Sequence, residues 1–199
     1  MAAKNIKVGS MTLGMVGTNC FFVFDDGAVD SEGKKHGVLF DPADRGDRIY
    51  ETLTAKNFVI DLILLTHGHF DHIGAVRELM DADTKLIIHS LDAPMLTDPE
   101  LNAGKGLLGW SITAPEATDQ VKEGDELELA GLKVKVLHTP GHTPGSVCYE
   151  IEGELFTGDT VFEYGWGRTD LPGGSEEQMA ASLRRLAPMV RTMPMHAGH

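Results

Sequence analysis

Three imidazoles and a carboxylate fall within the six residues His67-Gly68-His69-Phe70-Asp71-His72, directly behind the largely apolar run 60–65. A short apolar run of this length reads as a strand covered on both faces. The cluster therefore stands where a buried strand ends and side chains can converge. His67 and His69 are two apart, so extended backbone points both rings to one side, where they can grip one metal ion. Asp71 and His72 lie beyond the strand, where a turn can swing them to a second position. Imidazole nitrogen mixed with carboxylate oxygen suits borderline divalent metals such as zinc. A histidine-rich surface turn would contain the same residue types, but His-x-His-x-Asp-His is far more specific than an isolated histidine pair.

The stretch Thr66–His72 resembles the signature of the metallo-β-lactamase superfamily. Three later stretches follow in that family's order: His142 in Thr139-Pro140-Gly141-His142-Thr143-Pro144-Gly145-Ser146, Asp159 in Phe156-Thr157-Gly158-Asp159-Thr160, and His196 in Pro194-Met195-His196-Ala197. The last departs from the family's usual Pro-Gly-His-Gly. The resemblance spans nearly the whole chain and implies an α/β protein with the four-layer αβ/βα sandwich, formed as one domain over residues 1–199. It further implies that His67, His69 and His142 hold one metal and that Asp71, His72 and His196 hold another, with Asp159 bridging the two. The implied cofactor is a pair of divalent ions, zinc foremost and iron or manganese as alternatives. Asp71 is also the catalytic candidate of the set; a general-base role can be proposed for it, but it reads mainly as a ligand, since two metals already deprotonate water.

Composition narrows the function. The 199 residues suffice for one sizeable core, and 17 basic against 30 acidic residues give a formal charge of -13, which repels nucleic acid over most of the surface. No apolar run is long enough to span a membrane, and residues 1–6 lack the apolar core of a signal peptide, so a cytoplasmic protein acting on a small molecule is expected. Two cysteines, Cys20 and Cys148, are too few for a disulfide framework and read as buried free thiols.

The remaining pattern is that of alternating strands and helices. Strands are expected over 6–13, 20–24, 38–43, 85–89, 127–129, 132–137, 147–151 and 155–156, with turns at Ala130-Gly131 and Gly153-Glu154. Residues 25–37 read as an exposed loop in which His36 is merely solvated. Helices are expected over 45–56 with Asp44 as cap, over 73–80, and after the capping box Ser175–Gln178, where Met179, Leu183 and Leu186 form a buried stripe. His89 and His138, each at a strand end, read as structural or supporting residues. Residues 90–117 form a long irregular stretch and are the candidate substrate-facing rim.

Two metals sharing a carboxylate generate hydroxide at neutral pH and polarise a carbonyl. A thiolate leaves without a strong general acid, so a thioester suits a site that lacks an obvious proton donor. The stretch Gly165–Gly174, just after Asp159, is similar to that of short bacterial glyoxalase II-like hydrolases, and this resemblance implies a thioester such as S-lactoylglutathione as substrate. Arg168 there either meets a substrate carboxylate or pairs with Asp170. Lactones or other esters remain open, as does a persulfide dioxygenase that would use His67, His142 and Asp159 around a single iron. That family tends to have Phe-Gln where this chain has Leu171-Pro172. A flavin-associated di-iron protein would carry Glu at His69, and a non-catalytic metal binder would not need the full ligand set.

Overall fold

The computed structural model describes residues 4–199. Residues 1–3, part of the opening read as lacking a leader's apolar core, lie outside them. In chain order the elements are β1 (Ile6–Leu13), β2 (Thr18–Asp25), β3 (Lys35–Phe40), α1 (Gly46–Thr54), β4 (Phe58–Leu64), α2 (Phe70–Ile73), α3 (Val76–Leu79) and β5 (Lys85–His89). They are followed by α4 (Gly104–Leu108), β6 (Asp119–Val121), β7 (Glu126–Leu129), β8 (Leu132–His138), β9 (Val147–Ile151), β10 (Glu154–Gly158), α5 (Glu176–Leu186) and β11 (Met195–Ala197). A sheet ordered β1-β2-β3-β4-β5-β6 faces a second ordered β11-β10-β9-β8-β7.

Side-chain alternation sorts the core into layers. Val38, Phe40, Leu62, Leu64 and Ile87 point inward and meet Val134, Val136, Tyr149, Ile151 and Phe156 of the opposite sheet. Their neighbours Leu39, Ile63, Leu86 and Ile88 point outward onto Ile49 and Leu53 of α1 and onto Val76 and Leu79 of α3. Leu137, Cys148 and Leu155 face outward from the second sheet onto Leu186 of α5. The period of two along each strand thus supplies both faces of both sheets, and the result is a helix–sheet–sheet–helix sandwich. The β7–β8 hairpin turns at Ala130 (φ 49°) and Gly131 (φ 74°), the paired left-handed conformation that matches strand twist.

Local differences from the sequence reading have identifiable causes. Ile151 pairs with Glu154, so the next hairpin turns at Glu152-Gly153, one residue earlier than expected. Asp44 does not cap α1; its carboxylate accepts the Arg45 N–H at 2.7 Å, and Arg45, left-handed at φ 53°, is the residue preceding the helix. The single helix expected over 73–80 is two short ones. The Ala75 N–H turns to the Pro42 carbonyl at 2.9 Å, which removes a rung from any continuous ladder between α2 and α3. His36 lies on β3 instead of in a loop, and its ring meets the Asp61 carboxylate at 2.5 Å. Ser175 does cap α5, accepting the Gln178 N–H at 3.3 Å.

Candidate metal centre

β4 runs parallel between β3 and β5 and releases the chain at its carboxyl end, where Thr66 is fastened by Asp41. The Asp41 carboxylate accepts both the Thr66 N–H, at 2.9 Å, and its hydroxyl, at 2.7 Å. His67 therefore leaves a fixed point. His69 is extended (ψ 151°) and precedes α2, whose first residues carry Asp71 and His72. His142 arrives on the loop between β8 and β9, where Gly141 adopts φ 142° and its absent Cβ would lie 2.4 Å from the Met179 nitrogen. Asp159 directly follows β10. His199 arrives from β11, which pairs in parallel with β10 so that Ala197 lies opposite Gly158. That pairing brings the residue two beyond Ala197 level with Asp159.

These side chains form overlapping groups, one of them His67, His72 and Asp159, whose ligand atoms lie within 4.8 Å of one another. His67, His69 and His142 offer ligand atoms within 4.8 Å of one another, and Asp71, His72 and His199 do the same. Asp159 stands between them: one oxygen is 3.4 Å from His72 Nε2, the other 3.5 Å from His142 Nε2 and 3.4 Å from His199 Nε2. His199 Nε2 is 3.3 Å from Asp71 Oδ2, which also accepts the Thr18 hydroxyl at 3.1 Å.

His196 does not join the cluster. Its Nε2 meets Glu154 at 2.8 Å, and its ring stacks on Phe156 at 4.6 Å and against the edge of Phe21 at 5.3 Å. Successive strand residues face opposite sides, and on β11 the side of residue 196 is the interior between the sheets. His199 takes the position expected of His196. The local signal lay in Gly198-His199: a Cβ at 198 would fall 2.2 Å from Asp159 Oδ1 and 2.9 Å from His72 Cε1, so only glycine admits the chain to this corner.

The electrostatics suit divalent cations. Burial, reinforced by His72 and by the other rings, holds His67 well below the ordinary imidazole range and lowers His69 to about 3, and burial lowers His142 also. These three rings are thereby favoured as neutral; His69 Nδ1 meets His142 Nε2 at 2.8 Å, while His67 Nε2 and His69 Nε2 have no hydrogen-bond partner. Burial opposes ionisation of Asp71 and Asp159, yet His72 and His199 outweigh it, bringing Asp71 to about 2 and Asp159 well below the carboxylate norm. His72 and His199 are conversely drawn upward against burial by those carboxylates, His199 to about 9. The carboxylates thus favour positive charge at this position, which protonated rings or a bound cation would supply; metal binding there would require both rings neutral. The buried atoms His67 Nε2, His69 Nε2, both ring nitrogens of His72 and Asp159 Oδ1 have no hydrogen-bond partner. Buried polar atoms are rarely left so, and their convergence fits a bound metal pair.

Residues that the motifs did not reveal support the ligands. Asp41 Oδ2 lies 3.1 Å from His72 Nδ1, a charge contact without hydrogen-bond geometry. His142 Nδ1 donates to the Arg168 carbonyl at 2.6 Å, which fixes the ring with Nε2 toward the cluster. Arg168 itself contributes its backbone here, while its side chain pairs with Asp170 at 2.6 and 2.7 Å. Asp92, fully buried in the irregular stretch, accepts from Gly68 N (3.1 Å), the Thr143 hydroxyl (2.6 Å) and Gly145 N (2.6 Å), clamping the His67–His69 segment to the His142 loop. Nothing in the sequence neighbourhood of Asp92 marks it, because its partners lie 24 to 53 residues away. His89 and His138 stack at 4.3 Å, apart from the cluster.

The profile described as the Metallo-beta-lactamase superfamily matches residues 13–191. The chain belongs to the metallo-beta-lactamase superfamily. Among its relatives in that superfamily, the probable metallo-hydrolase YqgX of Bacillus subtilis (strain 168) is 35% identical over 195 residues, covering 96% of this chain and 87% of the relative. The hydroxyacylglutathione hydrolase GloC of Haemophilus influenzae is 32% identical, covering 91% and 84%. Of solved structures, the BLEG-1 B3 metallo-beta-lactamase superposes with TM-score 0.89 at 34% identity, covering 97% of this chain and 91% of that one. TTHA1623 in a di-iron-bound form gives 0.79 at 32%, covering 96% and 91%. ETHE1 from Myxococcus xanthus gives 0.74 at 25%, covering 97% and 75%. The sandwich and a His/Asp cluster fit for divalent metal are thus those of a superfamily made up largely of metal-dependent hydrolases. No helix among the described residues is long and apolar enough to cross a membrane.

Proposed function

We propose that the chain is a dinuclear metal-dependent hydrolase of thioesters, of the glyoxalase II-like kind, acting on a small molecule in the cytoplasm. The observation that carries this reading is the assembly of two three-donor groups around a shared Asp159. His67, His69 and His142 would hold one ion and Asp71, His72 and His199 the other, with zinc the first expectation and iron or manganese the alternatives. Two such ions supply hydroxide at neutral pH and Lewis acidity at the carbonyl oxygen.

The chain's own residues prepare the site for that chemistry. Asp41 fixes Thr66 and so aims His67, and the Arg168 carbonyl holds the His142 ring. Thr18 orients Asp71 by donating to its carboxylate. Burial pushes the Cys20 thiol upward and the Cys148 thiol to about 11, so neither offers a thiolate nucleophile, and both being free accords with a reducing compartment. A thiolate leaving group, with a free pKa of about 8.5, needs no strong proton donor.

The test is metal content together with assays on S-lactoylglutathione with and without oxygen. About two ions per chain and oxygen-independent thiol release support the reading. One iron per chain with oxygen consumed on a persulfide, and no thioester cleavage, would place the chain with the persulfide dioxygenases instead.

A further inference from the structure

A groove of about 280 Å³ opens beside the metal ligands, and Asp71 is one of its walls. Its other liners include Met15 and Val16 from the β1–β2 turn, Phe70 from α2, and Leu108 and Trp110 at and beyond the end of α4. Met15, Val16 and Trp110 are 73%, 52% and 55% exposed, a large outlay of apolar surface to leave in water at one place. Among the described residues, the charged liners are two carboxylates, Asp44 and Asp71. Arg45, next to Asp44 in the chain, pairs with Asp47, and Lys105, on α4, pairs with Glu100.

The far wall is tied to the ligand-bearing helix. Phe70 N donates to the Asn102 carbonyl at 3.1 Å, and the Asn102 amide donates to the Met95 and Ile112 carbonyls at 3.1 and 2.9 Å. The Asn102 side-chain oxygen accepts the Gly104 N–H at 2.9 Å, so the start of α4 is fixed relative to α2. A limb lying in the groove therefore meets apolar side chains held at a set position from Asp71.

Resting on the hydrolase reading, we infer that this groove is the subsite for an uncharged apolar limb of the substrate, and that the chain selects thioesters with an aliphatic or aryl acyl group over those carrying anionic limbs such as glutathione. Carboxylates entering the groove would face the Asp44 carboxylate with no cation among the described lining residues. Each methylene buried there contributes about fourfold in kcat/KM, from the free energy of about 0.8 kcal/mol per buried CH₂.

The experiment uses the metal-loaded protein and a series of acetyl, butyryl, hexanoyl and octanoyl thioesters of one neutral thiol. The expected result is a rise of about three- to fourfold per methylene until the groove is filled, flattened in Trp110→Ala and in Val16→Asp, with the change carried mainly in KM. A second readout does not need turnover. The chain has two tryptophans. In Trp166→Phe the remaining one, Trp110, reports on the groove, and a non-hydrolysable S-octyl thioether should shift its emission to the blue. A flat chain-length series, a preference for S-lactoylglutathione, or an unshifted Trp110 overturns the inference while leaving metal-dependent thioester hydrolysis intact. A blue shift without cleavage of any thioester keeps the subsite and overturns the hydrolase reading.

Discussion

Replacing His199 and His196 in turn by alanine separates two residues three apart in sequence whose surroundings are wholly different. His199→Ala removes one of three donors of the Asp71–His72–His199 group and the contacts at 3.3 and 3.4 Å that hold Asp71 and Asp159 together. Loss of a residue that merely supports a ligand typically weakens metal binding 10- to 100-fold, so loss of the donor itself should weaken the second position by about 100-fold or more, roughly 2.7 kcal/mol. His196→Ala removes a hydrogen bond to Glu154 and two aromatic contacts, at 4.6 and 5.3 Å, on the half-buried edge of the core. Those contacts together contribute about 2 kcal/mol to folding, which for a chain of this size lowers Tm by about 4–8 °C. The assay is metal per chain after dialysis against a buffered chelator, paired with a thermal melt of the metal-free protein. His199→Ala should retain about one ion, and His196→Ala about two with a lower melting temperature. Loss of an ion from His196→Ala together with full occupancy in His199→Ala would refute the geometry.

Other perturbations probe the supports. Asp92→Asn leaves at least one of the buried donors Gly68 N, Thr143 Oγ1 or Gly145 N without an acceptor; stability should fall by about 1–3 kcal/mol in urea unfolding, and metal affinity at the His67–His69–His142 position 10- to 100-fold, whereas unchanged affinity would deny the clamp any part in positioning. Gly198→Ala forces a methyl toward Asp159 Oδ1 and His72 Cε1, so its metal titration should resemble that of His199→Ala; a wild-type titration would show that the corner yields. His89 is lowered to about 4 by burial and by stacked His138, and its Nδ1 accepts the Leu91 N–H at 3.2 Å. A depressed histidine contributes stability that is present above the unfolded value of about 6.5 and lost as pH falls through about 4. In metal-free His89→Phe the urea midpoint should therefore decline less steeply across that window, and an identical decline would remove His89 from the linkage.

The sequence by itself determined which four of the donors cluster, and the layers. His67, His69, Asp71 and His72 are adjacent in the chain, so their convergence needs only a strand end and one helical turn, and the structure places all four in the cluster. The alternation along β3, β4 and β9 likewise writes both faces of each sheet into consecutive residues. Tertiary structure alone decided the rest, because it turns on which strands become neighbours. His196 and His199 stand three apart near the same Pro and Gly, with Gly198 the one local mark that separates them. The parallel pairing of β11 with β10 sends the first into the aromatic core beside Phe156 and carries the second to Asp159. The same holds for Asp41 and Asp92, whose partners stand 24 to 53 residues away; a carboxylate is marked as a clamp only when the donors it must satisfy have been folded around it, and no local pattern records that.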